Sequence, residues 1–212
     1  MKEQDSEHIA FSKAAIEFAA VANEYCNFIE GQQQYPLKAF LSTLQKLLPL
    51  LYLKTSMLPP IDDENAETPE KYLSEVDYNF LLGKLNNKLG QHDTFLEVFD
   101  QAMQFSETSV EQSISENLCD IYQDLKDFIF VYRMGTTELM NDALWECKNN
   151  FEEFWGQKLV NVLRAIHSLV YSEALNEEQT TDPGQKNKKG NNWVSKHFRN
   201  QESNEEFSDN DL

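Results

Sequence analysis

Glycine, proline and cysteine are all scarce in this chain of 212 residues, which has seven, six and three of them. Between Ser109 and Leu175 there is no proline, and the only glycines are Gly135 and Gly156. Because proline and glycine are the residues that most often interrupt helices, their scarcity favours long helices over a loop-rich fold. The seven glycines form no G-x-G-x-x-G sequence and no Walker loop, so the familiar nucleotide-binding motifs are missing.

The three cysteines are too few and too scattered for a disulfide framework or a zinc cage. Cys26, Cys119 and Cys147 lie singly within apolar stretches of helical spacing, which predicts buried free thiols. The four histidines show no metal-ligand spacing, and no serine or cysteine lies in a recognised nucleophile motif. We therefore predict no cofactor.

Basic residues are half as numerous as acidic residues, at 18 against 36, and the net charge is −18. Nucleic acids and anionic lipids are bound by clustered Lys and Arg, so we expect no nucleic-acid binding by the core domain and no membrane binding. No apolar run approaches the ~18 residues that a membrane span requires. The first ten residues are charged and lack the apolar core of a signal peptide, which predicts a soluble cytoplasmic protein.

Helical spacing of apolar residues predicts four helices in the first half of the chain. Pro36 suits an early helical position, whereas Pro49 is expected to kink or divide its helix because it lacks an amide proton. Gly31 and Gly90 are placed to follow helix ends. The predicted helices cover residues 7–30, a leucine-rich segment from Leu37 to Leu51, a segment from a Thr68 N-cap to Leu89, and a short helix with Phe95, Val98, Phe99 and Ala102.

The second half predicts a hairpin of two long helices, which begins near Thr108 or Ser109. Gly135 is expected to take a left-handed C-cap conformation, and Thr136 or Thr137 to begin the next helix. Gly156 weakens the middle of that helix by ~1 kcal/mol relative to alanine, so we expect a bend or a close helix contact there. The predicted fold is all-α: an up-and-down bundle of about five helices that ends in a long antiparallel hairpin.

After Leu175 the composition changes to Asn, Gln, Lys, Ser and Glu, which predicts a domain at 1–175 and a largely disordered tail at 176–212. The charge of the tail is segregated, with five basic residues at 185–199 and five acidic residues at 200–212. Trp193 and Phe198 lie in the basic part and are candidate anchors of a docking peptide. A solubilising tail that binds nothing is the alternative.

Two rows of carboxylates lie opposite the apolar stripes of their predicted helices. One row contains Asp93 and Glu97, and the other contains Asp120, Asp124 and Asp127. Such outward rows normally keep a bundle soluble, which predicts a solvated surface. If the rows faced each other, Asp93, Glu97, Asp120 and Asp124 would instead bind a divalent metal, as in a metal-dependent phosphate or nucleotide hydrolase of the all-α type.

The outer side of the last helix carries Glu153, Gln157, Arg164, His167 and Tyr171. A guanidinium at Arg164 can grip a carboxylate or phosphate, and His167 adds a titratable donor, so this side is a candidate binding strip. The alternative is an ordinary solvated helix surface with intrahelical pairs.

Several sequence blocks, among them DIYQDLKDF at 120–128 and ALWECKNNFEEFWGQKLVNVLRAIH at 143–167, resemble a bacterial domain-of-unknown-function family, number 5063. The resemblance covers most of residues 9–170 and implies a bacterial, cytoplasmic, all-helical domain. It implies no activity and no site residue. The leading hypothesis is a non-enzymatic adaptor or regulatory domain that binds a protein partner, and the acidic charge favours a basic one. The hydrolase is the alternative.

Overall fold

The computed structural model describes residues 9–61, 71–97, 110–172 and 175, which form six α-helices and two short strands. Helices α5 and α6 continue one another through a single π-helical turn, so the described chain contains five long helical rods. This confirms the predicted all-α fold. The elements are α1 (Lys13–Glu30), α2 (Leu37–Ser56), α3 (Glu75–Leu89), β1 (Thr94–Leu96), β2 (Glu111–Ser113), α4 (Ile114–Met134), α5 (Thr137–Asn150), the π turn (Phe151–Trp155) and α6 (Gly156–Val170).

Helix α4 lies at the centre of the bundle, where it packs against α1, α3, α5 and α6. The Phe18 and Phe128 rings meet at 5.0 Å between α1 and α4, and the buried Tyr25 hydroxyl donates to the Leu118 carbonyl at 2.9 Å. Trp155 is fully buried, and its indole N–H donates to the Cys147 carbonyl. Apolar contacts between all these helices therefore form one continuous core.

All three cysteines are buried free thiols, as the sequence predicts. Burial raises the pKa of Cys26 and of Cys119 to about 12, because a thiolate loses hydration in an apolar interior. These thiols therefore remain protonated and serve as small core side chains.

The limits of α1 and α2 differ in two respects from prediction. Ser12 accepts the Ala15 amide and caps α1, so the helix begins at Lys13, while Phe11 lies before it and is exposed. Of the two outcomes predicted for Pro49, a kink or a division of its helix, division is wrong, because α2 runs without a break from Leu37 to Ser56. Buried leucines before and after Pro49 anchor both halves of the helix on the core, which offsets the missing amide hydrogen bond.

Helix α3 ends before Gly90 as predicted, with that glycine at a φ of 51°. Its N-cap is Ser74, which accepts the Asp77 amide; the predicted cap, Thr68, lies outside the described residues. The short helix predicted around Phe95 is wrong over residues 94–96. There the chain forms β1, which pairs antiparallel with β2, and the rest of that predicted helix is outside the described residues.

The hairpin is formed by α4 and by the rod of α5 and α6. Its predicted start near Thr108 or Ser109 is wrong, because the N-cap of α4 is Ser113. The predicted start of the second helix is confirmed, with Thr136 as the N-cap of α5. The left-handed conformation predicted for Gly135 is wrong: its φ of −78° and ψ of 164° are extended. An extended residue leads directly to the capping conformation of Thr136, so a tight connection forms without a left-handed residue.

A π turn immediately precedes Gly156, where a bend or a close helix contact is predicted. The Gly156 amide donates to the Phe151 carbonyl, five residues earlier. A Cβ at Gly156 would lie 2.4 Å from that carbonyl oxygen. Glycine is therefore needed here because the π turn brings the Phe151 carbonyl against the position of a Cβ.

Within the described ranges, no helix combines the length and the apolar character that crossing a membrane requires. Residues 176–212 lie outside the described part of the chain. The division at residue 175 and the disordered tail therefore stay predictions.

Candidate functional site

The five residues predicted as a binding strip are all exposed along one side of the last helical rod. Glu153 lies on the π turn, Gln157, Arg164 and His167 lie on α6, and Tyr171 follows the end of α6. We call these five residues the outer strip. The opposite side of α6 is fully buried in the core through Leu159, Val162 and Ile166.

Neighbouring elements fix two side chains of the outer strip. Arg164 donates through Nη2 to the Leu96 carbonyl of β1 at 2.7 Å. Nδ1 of His167 is hydrogen-bonded to Nε2 of Gln45 on α2 at 3.1 Å, and the His167 ring lies 4.8 Å from the Tyr171 ring. Because a guanidinium has five N–H donors, Arg164 keeps donors for an external acceptor while this contact orients it.

The sequence prediction missed the apolar members of this surface. Val160 is 45% exposed between Gln157 and Arg164, and Leu96, whose carbonyl binds Arg164, is 54% exposed. Helical spacing was a sufficient signal for Val160, which is three residues after Gln157 and four before Arg164. Leu96 could not be found in this way, because its proximity to α6 depends on the tertiary fold.

The carboxylates of Asp93 and Glu97 are not solvated: their residues are only 7% and 8% exposed. Asp93 caps the start of α4, where its two carboxylate oxygens accept the Ser115 amide, the Ser115 hydroxyl and the Ser113 hydroxyl at 2.7–2.8 Å. The prediction of a solvated row is wrong here because the segment is a 3₁₀ turn and a strand, so helical spacing does not apply.

The aspartate row of α4 is also covered by other elements. Asp120 accepts the Tyr78 hydroxyl of α3 at 2.7 Å and pairs with Lys158 of α6. Asp124 accepts Nδ2 of Asn150 on α5 at 2.7 Å. The prediction of a solvated face is wrong because α4 is central, so helices also pack over the side opposite its main apolar stripe.

Three of the four carboxylates of the hydrolase hypothesis have separate partners, and the fourth, Glu97, is buried at the end of β1. Asp93 binds the start of α4, Asp120 binds α3 and α6, and Asp124 binds α5. Among the residues that the structure describes, no group of three or more His, Cys, Asp or Glu side chains is arranged to hold a metal ion.

A cavity lies between α4 and α5, beneath the segment that leads into α3. Its polar residues, which we call the acidic pocket, are Lys71, Asp124, Asp127, Glu146 and Asn150. Nζ of Lys71 is 3.0 Å from Oε1 of Glu146 and 4.0 Å from Oδ2 of Asp127. The pocket thus combines three carboxylates and one amine.

Asp127 fixes the backbone that covers the acidic pocket. Its Oδ1 accepts the amides of Tyr72 and Leu73 at 2.9 and 2.8 Å, and the Tyr72 ring stacks on Phe130 at 3.8 Å. Its Oδ2 is buried and has no hydrogen-bond donor among the described residues. One oxygen of this carboxylate therefore holds the backbone, and the other is buried without a hydrogen bond in a residue that lines the cavity.

Burial and neighbouring charges shift the pKa values of the side chains in the acidic pocket. Burial raises the pKa of Asp124 to about 6, against the opposing hydrogen bond from Asn150. Burial also raises the pKa of Asp127, although the amides of Leu73 and Tyr72 oppose the rise. For Lys71, burial lowers the pKa, but Glu146 and the other carboxylates outweigh it and raise the pKa above its ordinary value.

The sequence contained part of the signal for the acidic pocket. The spacing of Asp124 and Asp127 is helical, and Glu146 and Asn150 share the i, i+4 spacing on the facing helix. In an antiparallel hairpin these two pairs can meet, but sequence alone does not give the register of α4 against α5. Lys71 precedes α3, outside any helical spacing, so the sequence does not indicate that it joins this pocket.

Comparison with known proteins agrees with the observed fold. The crystal structure of protein BF1032 from Bacteroides fragilis has 43% sequence identity and a TM-score of 0.68, and the match covers 77% of this chain and 96% of that chain. No curated protein matches. Residues 9–172 match the domain of unknown function DUF5063, and the chain therefore belongs to the DUF5063 family.

Proposed function

We propose that this chain is a non-enzymatic protein-interaction domain, with an adaptor or regulatory role, and that its outer strip is the binding face. The observation that carries the proposal is the exposure of Val160 and Tyr171, at 45% and 71%, on the same side of the last rod as Arg164 and His167. Tyr and Arg are among the side chains that most often dominate protein interfaces, and an apolar residue next to Arg164 adds buried area on binding.

The outer strip is held in place by the rest of the fold, as suits a binding surface. The inner side of α6 is fully buried, and contacts with β1 and α2 hold Arg164 and His167. A strip held in this way loses little conformational entropy when a partner binds, so more of the contact energy appears as affinity.

The partner that we propose is a cytoplasmic protein with a basic surface. The chain carries 36 acidic and 18 basic residues, so its long-range field attracts positive charge and raises the rate of encounter. Trp193 and Phe198 remain proposed as a second docking element, which deletion of residues 176–212 would test. No observation favours the alternative hydrolase function.

Site-specific photo-crosslinking in cells tests the location of the binding face. A benzophenone side chain at position 160 or 171 should crosslink to a common protein partner. The matched control is position 76, a valine on α3 that is 78% exposed. Crosslinking of the partner from position 76, with none from positions 160 and 171, would move the binding face away from the outer strip.

A further inference from the structure

The acidic pocket carries more negative charge than its own amine neutralises. Asp124, Asp127 and Glu146 contribute three carboxyl groups, and Lys71 contributes one ammonium group. Lys71 is hydrogen-bonded to Glu146, while its 4.0 Å separation from Asp127 Oδ2 is too long for a hydrogen bond. The negative charge at the Asp127 side of the pocket is therefore only partly compensated.

The unpartnered oxygen of Asp127 is the feature that points to a ligand. The Asp127 side chain is only 8% exposed, and its buried Oδ2 has no hydrogen-bond donor among the described residues. A buried polar atom without a partner costs about 1–3 kcal/mol, and more when it is charged. A donor that enters the pocket would remove this cost.

The dimensions of the cavity limit the ligand group to a small one. The free volume at the centre is about 10 Å³, which is that of one water-sized group. The remaining walls are largely apolar and come from Phe128, Val131 and Ala143. A metal ion needs oxygen ligands on several sides, which these apolar walls do not supply.

We propose that the acidic pocket binds a primary ammonium group, which is carried by a small aliphatic amine or by a lysine side chain. An ammonium head has three donors, and its size matches the cavity. It would donate to Oδ2 of Asp127 and lie next to Asp124, with its alkyl chain leading out of the cavity. Lys71 already places an ammonium group at the edge of the pocket, and it acts as an internal competitor.

This proposal is independent of the outer strip, since none of its residues belongs to that strip. Binding is measured by NMR on the full chain, through the backbone amides of Tyr72 and Leu73 that donate to Asp127. The probe is n-butylammonium chloride. Tetramethylammonium has the same charge without N–H donors, and sodium chloride at equal ionic strength controls for screening.

Saturable shifts of the two amides with n-butylammonium, and none with the two controls, would support the proposal. Equal shifts with sodium or tetramethylammonium, or no saturation up to about 50 mM, would overturn it. Putrescine and Nα-acetyl-lysine amide then distinguish the two sources of the ammonium group. Tighter binding of the first favours a free amine, and tighter binding of the second favours a protein side chain.

Lys71→Met separates binding from a simple structural role of the pocket. Removal of the internal competitor should tighten binding of n-butylammonium by roughly tenfold, because the pocket becomes more negative and more open. Asp127→Asn should weaken binding by at least about tenfold. Glu24→Gln, which neutralises an exposed carboxylate on α1, should leave it unchanged.

If Asp127→Asn fails to fold, Lys71→Met decides the question alone. Unchanged or weaker binding in Lys71→Met would contradict the proposed site.

Discussion

Asp124 lies on α4 and faces α5, where its carboxylate accepts a hydrogen bond from Asn150. Its position on α4 is visible in the sequence, but its environment depends on α5, which covers it. Burial raises its pKa to about 6, above the ordinary 3.8. A spacing argument places the residue on a helix face, and only the packing of that face determines the chemistry of the side chain.

This raised pKa predicts how stability depends on pH. The folded protein binds the Asp124 proton more tightly than the unfolded chain, so the contribution of Asp124 to the free energy of unfolding should fall as pH rises from about 4 to 7. Asp124→Asn removes the charge and should stabilise the protein by about 1–2 kcal/mol at pH 8. The gain should shrink towards pH 4, where the folded-state carboxyl is protonated and the unfolded-state carboxyl is about half protonated.

Urea unfolding of the wild type and Asp124→Asn at both pH values measures this difference. Glu24→Gln on the exposed side of α1 is the control and should show no such change. An Asp124→Asn protein that is less stable than the wild type at pH 8 would show that the charge is favourable where it lies.

At the scale of elements, the start of α4 depends on a residue outside the helix. Asp93 precedes β1, yet its carboxylate accepts three hydrogen bonds from Ser113 and Ser115, and its backbone carbonyl accepts the Ile114 amide. This contact connects segments twenty residues apart in sequence. The helix start itself has a local signal, Ser113 followed three residues later by Glu116, whose amide donates to the Ser113 hydroxyl, whereas the contact with Asp93 has none.

Asp93→Ala should destabilise the protein by about 2–3 kcal/mol, because it leaves buried donors of the α4 N-terminus without acceptors. Chemical denaturation measures the change. Glu111→Ala, at an exposed position of β2, should change stability by less than about 0.5 kcal/mol. Comparable losses in both variants would indicate that the strand pair, rather than the cap, is the sensitive feature.

The two helical glycines Gly83 and Gly156 should respond to alanine in opposite directions. A Cβ at Gly156 would lie 2.4 Å from the Phe151 carbonyl oxygen, so Gly156→Ala should cost about 2 kcal/mol or more through distortion of the π turn. At Gly83 of α3 nothing lies within 4 Å, and Gly83→Ala should stabilise by about 0.5–1 kcal/mol.

Thermal unfolding of the two variants provides the comparison. Stabilisation by Gly156→Ala would mean that the π turn can relax into regular α-helix without loss.

The elements that the sequence predicted well are those whose pattern is local. Apolar spacing located α1, α2 and the two long rods of the hairpin, and Gly31 and Gly90 marked helix ends. The strand pair was missed because each strand has only three residues, too few for an alternating pattern. Gly135 was misjudged because glycine permits a left-handed conformation without requiring it.

At the scale of the whole molecule, the central position of α4 explains most of the difference between predicted and observed sites. Four helices surround α4, so its aspartates are covered and the acidic pocket forms beside it. The last rod packs on the bundle by one side, and the outer strip stays exposed as expected. A sequence indicates which residues share a helix face, but the number of neighbours around that helix is a tertiary property.

The central claim is that the outer strip binds a protein partner. Its most direct test is the dissociation constant of the partner captured through position 160, measured by calorimetry with the wild type, Val160→Asp and the matched control Val76→Asp. An aspartate in the middle of the strip buries an unpaired charge on binding, so Val160→Asp should weaken the complex by at least about tenfold. Val76→Asp should leave the constant unchanged. An unchanged constant in Val160→Asp, or an equal loss in Val76→Asp, would contradict the claim.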